Sequence, residues 1–379
     1  MRAQTLTLAL AAVASLVASG CVKKTLTDGQ IEAFRSAAVV VDTIGDYELA
    51  RAGAAAGLVQ FEGMHALSPD NPNALFMLAK AWAGYGIGFA EDDMQLAQDA
   101  GDDDLVEYHR KRARMAYDRA VYYGLRLMSQ KAPGFQDAKK NQETLTKWVK
   151  ANFTSKDDAE ILLWTGEAWL VRAGLMAPDE NEGGAFVAEL FVAIPLLEQA
   201  IALDESVGRY MGLVMLAAYH SRSGMAEMDE GKKLFERALA KTERRDLVVQ
   251  MVYATKYACA KGDPALYQRL LNEVLQADDP DPEQRLENTI AKRQAKRWMG
   301  KHRVKDQCGF ELSASSSAAA SAPPPAPAPE PAAASPSPAA APPPPPAATP
   351  APAGKPAKPV KPGKGGGAPK AKPAPPMAN

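Results

Sequence analysis

Between residues 25 and 305, apolar side chains recur at three- and four-residue spacing in segment after segment, and almost nowhere at the period of two of a half-buried strand. A chain patterned this way can bury its apolar stripes only by packing helix on helix, so the expected fold is all-α. The spacing predicts about twelve helices, near residues 28–42, 46–67, 72–90, 104–130, 135–151, 157–175, 187–203, 207–223, 228–241, 246–261, 264–276 and 282–302. Turn-forming stretches separate them at SPDNP (68–72), APG (132–134), APDENEGG (177–184) and DDPDP (278–282).

The helices also repeat one another in pairs. Leu75, Leu78, Ala79 and Trp82 are answered by Ala113, Tyr117 and Ala120. Leu162, Thr165, Gly166 and Trp169 are answered by Ala193, Leu197 and Ala200, and Gly212, Met215, Leu216 and Tyr219 by Gly231, Phe235 and Ala238. This alternation of large and small positions resembles the tetratricopeptide signature, in which small residues let paired helices approach and large ones fill the seam. A fourth unit, near 246–276, is degenerate. The implied architecture is a tetratricopeptide-like α-helical domain over residues 28–305.

The two ends are of a different kind. Met1 to Gly20 carries Arg2, the apolar run Leu6 to Val17, and Ala18-Ser19-Gly20 directly before Cys21. This reads as a cleaved export signal, since the run is shorter than the roughly 20 apolar residues of a membrane span. The placement of Cys21 resembles the lipobox of bacterial lipoproteins, which implies a signal peptide over 1–20, an acylated Cys21 and an anchoring linker over 21–27. Val22, Lys23 and Lys24 after the cysteine suggest, by the same resemblance, a periplasm-facing lipoprotein of the outer membrane. At the other end, residues 313–379 hold 22 of the 30 prolines and no aromatic residue. Such a segment buries too little apolar surface to offset its ordering entropy and is expected to be a disordered tail. The tail carries a net charge of +5 and residues 22–312 one of −7, which argues against nucleic acid as a partner.

Within the helical region the stretch AWAGYGIGFAEDD (81–93) is unusual, because Gly84, Gly86 and Gly88 fall in a helical pattern. The order G-Y-G-I-G matches neither phosphate-binding fingerprint. The glycines are read as marking the end of a helix where backbone passes close to a neighbour. Tyr85, Phe89, Trp82, Trp164, Trp169 and Tyr219 are candidates to line a groove or passage for ligand or partner, with Tyr85 and Phe89 set apart by the glycines around them and Trp82, Trp169 and Tyr219 occupying seam positions where the core is expected. The acidic run Glu91, Asp92, Asp93, Asp99, Asp102, Asp103 and Asp104 lacks the order of a calcium loop and is expected to be a solvated loop. The histidines show no ligand spacing, and neither a metal nor another cofactor is expected. An exported protein could join Cys259 to Cys308, but the expectation is a buried free thiol at Cys259. No nucleophile, base or acid falls in a recognisable catalytic motif, and an enzyme is not expected.

The runs NPNALFMLAKAWAGYGIGFAEDD, RMAYDRAVYYGLRLMSQKAPGF, LLWTGEAWLVRAG, LLEQAIALDESVG and RLENTIAKRQAKRWM, in this order between about residues 27 and 305, resemble the TatT component family of tripartite ATP-independent periplasmic (TRAP) transporters. That resemblance implies an exported lipoprotein of packed helical pairs, a homotrimer with a pore-like passage, and a periplasmic solute-binding protein as partner. The alternative is a tetratricopeptide scaffold lipoprotein that docks envelope proteins and has no part in transport.

Overall fold

A computed structural model describes residues 24–175, 185–222 and 227–312. The export signal, Cys21 and the Pro/Ala-rich tail lie outside the described residues. Among those described there is no strand, and the chain is all-α.

The first helix, α1, covers 24–37 and passes into a 3-10 segment, Ala38–Thr43. Helix α2 (Tyr47–Leu67) starts where the Asp46 carboxylate accepts from the Glu48 and Leu49 amides, and α3 (Pro72–Tyr85) starts with Pro72 behind the Asn71 cap. A π-helical turn, Gly86–Ala90, leads from α3 directly into α4 (Glu91–Ala100). Then come α5 (Asp103–Lys131), the short α6 (Phe135–Ala138), α7 (Gln142–Asn152), α8 (Asp158–Gly174) and α9 (Ala185–Leu203). The second half holds α10 (Met211–His220), α11 (Met228–Lys241), α12 (Leu247–Val252), a second π turn (Tyr253–Ala258), α13 (Cys259–Lys261), α14 (Pro264–Gln276), α15 (Arg285–Trp298) and α16 (Lys301–Cys308).

The paired positions pack as pairs. Helix α3 lies on α5, α8 on α9 and α10 on α11, while α14 packs on α12 and the second π turn. Small residues sit where helices touch: a Cβ on Gly166 would press on Leu196 and Leu197, and one on Gly212 on Ile201. Two apolar clusters fill the seams. One holds Leu75, Leu78, Leu162, Trp169, Leu197 and their neighbours, and the other Leu213, Phe235, Tyr257, Tyr267 and theirs. The array then turns back on its beginning, since α15 packs on α2 and on the 3-10 segment.

Two expectations are corrected. The first part of the acidic run is not a solvated loop: Glu91 to Asp99 lie in α4, with Asp92 fully buried and Asp93 9% exposed, whereas Asp102, Asp103 and Asp104 are exposed at the turn into α5. Asp92 and Asp93 can be buried because arginines from distant helices neutralise them, as described below. Cys259 is not a free thiol, because it forms a disulfide with Cys308, Cα to Cα 4.8 Å. Helix α16 returns onto α13 and brings the two together.

Candidate functional site

Two electrostatic constellations hang on α4 and its neighbours. In the first, α4 is clamped from four sides. Asp92 accepts from Arg293 Nε at 2.8 Å and from Arg297, and lies 2.9 Å from the Tyr47 hydroxyl, which is also 3.2 Å from the Gly88 carbonyl of the π turn. Asp93 takes both guanidinium nitrogens of Arg51 at 2.7 Å and Arg112 at 3.2 Å. Burial works to raise Asp93, but Arg51, His109 and Arg112 outweigh it and hold the carboxyl below its ordinary value. Arg303 binds Asp99 at 2.9 Å and the Gln95 carbonyl at 2.9 Å. Each of the three carboxylates here is paired with arginine, so this constellation is structural.

The second constellation is not balanced. Lys80, on α3, places its ammonium 3.9 Å from Asp42 of the 3-10 segment and 5.3 Å over the Trp164 ring of α8. The same ammonium is the countercharge felt by Glu167 of α8 and Glu287 of α15. Glu167 is only 3% exposed, and its Oε2, like that of Glu287, is buried without a hydrogen-bond partner among the described residues. Burial pushes Glu167 up to about 7, with Lys80 the one opposing influence. Burial raises both Asp42 and Glu287, and the charge of Asp42 adds to the rise of Glu287. Asp246 adjoins, pushed up to about 6 by burial despite the Val248 amide and Arg209.

Two further features border this cluster. Tyr117 donates to Glu91 and feels the charge of Glu167, and burial raises Glu91 against the pull of Tyr117 and of Lys256 in the second π turn. Arg209 stands in a left-handed run, Gly208, Arg209 and Tyr210 at φ 56°, 56° and 67°, a conformation costing roughly 1–2 kcal/mol per non-glycine residue. Arg209 is held by Asp281 at 2.9 Å and Glu283 at 3.0 Å, facing Asp42 and Asp246.

The six aromatic candidates do not share one groove. Trp82, Tyr85 and Phe89 form a row that continues to Tyr47, with centroids 5.3 to 6.3 Å apart. Phe89 is 3% exposed and packs with Tyr47, Ala50 and Leu286, while the Tyr85 hydroxyl accepts from Arg112 at 3.0 Å. Trp82 donates to Glu62 at 2.9 Å. Trp169 is buried against Phe135, and Tyr219 lies beneath Arg222. Only Trp164 belongs to the acid cluster. Sequence reasoning missed Lys80, Asp42, Glu167, Glu287 and Asp246. A signal existed for Glu167, a lone carboxylate inside the apolar run LLWTGEAWL.

A separate pocket of about 170 Å³, lined by Arg35, Phe76, Lys131, Phe153 and Glu160 among others, has both its cations paired, Arg35 with Glu160 and Lys131 with Asp158. Among the described residues no group of three or more potential ligands is arranged to hold a metal ion, and no helix is long and apolar enough to cross a membrane.

Residues 44–304 match the sequence profile of the family TAtT, the TRAP transporter T-component. The matched span contains every helix pair and each side chain of the acid cluster except Asp42. A comparison with curated proteins gives no significant match. Since the match covers well over half of the 379 residues, the chain belongs to the TRAP transporter T-component family.

Proposed function

We propose that this protein is a non-catalytic accessory component of a TRAP-type uptake system, anchored in the bacterial envelope through Cys21 and associating with the periplasmic solute-binding protein of that system. The family match over 44–304 carries this reading, because it spans the whole array of helix pairs. The acid cluster supports a binding rather than a chemical role: it offers unpartnered acceptors beside a lysine and an aromatic ring, the makings of a ligand site on a passage. The disulfide supports an oxidising compartment. Co-purification of the full chain from native membranes, with mass spectrometry of what accompanies it, tests the reading. Recovery of a solute-binding protein of a TRAP system is the expected result, and its consistent absence would overturn it.

The outer face of α2 is assigned to contacts between copies in a homotrimer. From Leu49 to Leu67 its exposed positions, among them Ala52, Gly53, Ala56, Val59 and Gly63, carry no charge, and Leu49, Val59 and Leu67 are 61%, 75% and 66% exposed. Bodies that each carry −7 over residues 22–312 repel one another, so a contact between copies belongs on an uncharged face. Nothing lies within 4 Å of a Cβ at Gly53 or Gly63, which leaves room for close helix approach. Val59→Glu should leave the thermal midpoint within the small range of surface substitutions while shifting sedimentation to the monomer. Unchanged sedimentation would remove this face from the assembly.

A further inference from the structure

We propose that the outward side of α1 and the valines that follow it lie in the surface of the membrane that anchors the chain, covered by lipid. This rests on the reading of Cys21 as the acylated residue, and the experiment below separates the two. Exposed apolar side chains crowd this end of the described chain. Leu26, Val39 and Val40 are 65%, 59% and 60% exposed, and Phe34 and Val41 are exposed with them. The 3-10 segment Ala38–Thr43 holds no buried residue, although Val39, Val40 and Val41 are consecutive in it. An apolar run left uncovered in this way marks an interaction surface.

The other side of α1 is fixed to the body. Ile31 is fully buried in a cluster with Ala74 and Met77 of α3. Asp28 accepts from Ser68 at 2.7 Å and Asn71 at 2.8 Å. Arg35 donates to Asn73 at 2.6 Å and to Glu160 of α8 at 3.0 Å, with its guanidinium 4.1 Å over the Phe76 ring. Helical spacing places Leu26, Gln30, Ala33 and Ala37 opposite these contacts, and all four are exposed and uncharged. The helix is therefore amphipathic in an unusual sense: its charged side is spent on the body, and its apolar side is turned outward.

The chain just before α1 says what covers this side. Cys21 stands three residues before Lys24, where α1 begins. Three residues fully extended span at most about 11 Å, so acyl chains on Cys21 hold the start of α1 at the headgroup layer. From there the helix runs for about 21 Å, long enough to lay its uncharged side along the boundary between headgroups and acyl chains. An interfacial helix buries only one side this way, and among the described residues no helix is long and apolar enough to cross the membrane. Because α1 is bonded to α3 and α8, its seat on the lipid fixes the tilt of the helix pairs against the membrane. A tether of three residues alone would leave that tilt free.

The test places the full acylated chain in vesicles of phosphatidylethanolamine and phosphatidylglycerol, with a nitrobenzoxadiazole probe at Ala33→Cys or Val40→Cys. Both probes should emit at shorter wavelength than in water and be quenched by nitroxide-labelled lipid. A second arm isolates the face from the anchor, using the mature chain with Cys21→Ala, produced without the export signal. This chain should still partition into the same vesicles, and adding Val40→Glu should lower its partition coefficient about tenfold. Val40 is exposed, so the thermal midpoint should stay within the range of surface substitutions. Unquenched probes in an acylated chain, no partitioning of the Cys21→Ala chain, or partitioning unchanged by Val40→Glu would each overturn the assignment. So would a change in sedimentation caused by Val40→Glu without lipid, which would give the face to a second copy. Mass spectrometry of the N-terminal peptide reads acylation separately. If Cys21 carries no acyl chain the anchor reading fails, and the Cys21→Ala arm alone decides the face.

Discussion

At the scale of single residues, Asp92 holds α4 in place. It is fully buried and shared by Arg293, Arg297 and the Tyr47 hydroxyl. Asp92→Asn keeps the shape and removes the charge, leaving two arginines without their counterion. Breaking a buried pair by removing one partner costs about 3–5 kcal/mol, so the urea midpoint should fall steeply. Asp103→Asn, on an exposed first turn of α5, should stay within about 0.5 kcal/mol of the parent. A similar loss in both variants would show that the ion pairs of α4 have no special weight. None of this was legible at the acidic run itself, because nothing within it indicates a partner: Arg293, Arg297 and Arg303 lie some 200 residues further on. A complementary trace was there in KRQAKRW, where Arg293 and Arg297, spaced by four, share a helical stripe, but only the fold says that this stripe, and Arg303 on the next helix, meet that run.

At the scale of elements, the three glycines of GYGIG have three different explanations. Periodicity alone located the helix on which they lie, but not its continuation, since a π turn leaves no signature in spacing. Gly86 faces the Tyr117 ring of α5, where a Cβ would lie 2.8 Å from Cζ, and Gly88 faces Ile290 of α15 at 3.0 Å. Gly84 is exposed, with nothing within 4 Å. Gly86→Ala should therefore cost about 1–3 kcal/mol through overpacking, while Gly84→Ala should gain up to about 1 kcal/mol in helix propensity. Urea denaturation of the two variants reads both signs, and a gain at both positions would mean that the α3–α5 contact yields easily. The run Gly208-Arg209-Tyr210 is a second place where the pattern misleads. It sits in the apolar periodicity predicted as helix 207–223, yet its left-handed backbone is set by what Arg209 must reach, Asp281 and Glu283. Caps and proline starts were easier to read, because Asn71-Pro72 and Asp263-Pro264 are local chemistry.

At the scale of the whole molecule, the array is closed by contacts between its beginning and end, and titration should reveal them. Reduction of Cys259–Cys308, which spans 49 residues, should cost about 2–5 kcal/mol and loosen α16 from α4. The pH dependence has two limbs. Glu167 and Asp246 are raised by burial, to about 7 and about 6, so their stabilising effect is complete below the ordinary carboxyl value and is lost as pH rises through the folded values. Asp28 behaves oppositely. Hydrogen bonds from Lys24, Ser68 and Asn71 hold it at about 2, so its contribution is present above its ordinary value near 4 and is lost as pH falls toward 2. The thermal midpoint should accordingly peak near pH 4 and decline toward both pH 3 and pH 8. Glu167→Gln separates the alkaline limb from the rest. The amide cannot ionise, so the variant should match the parent near pH 5 and exceed it at pH 8, by an amount on the order of 3 kcal/mol for a shift of this size. Denaturation at the two pH values decides it: a parent whose stability is flat from pH 5 to pH 8, or a variant that is no better at pH 8, would mean that Glu167 ionises in the folded protein as easily as in the unfolded one.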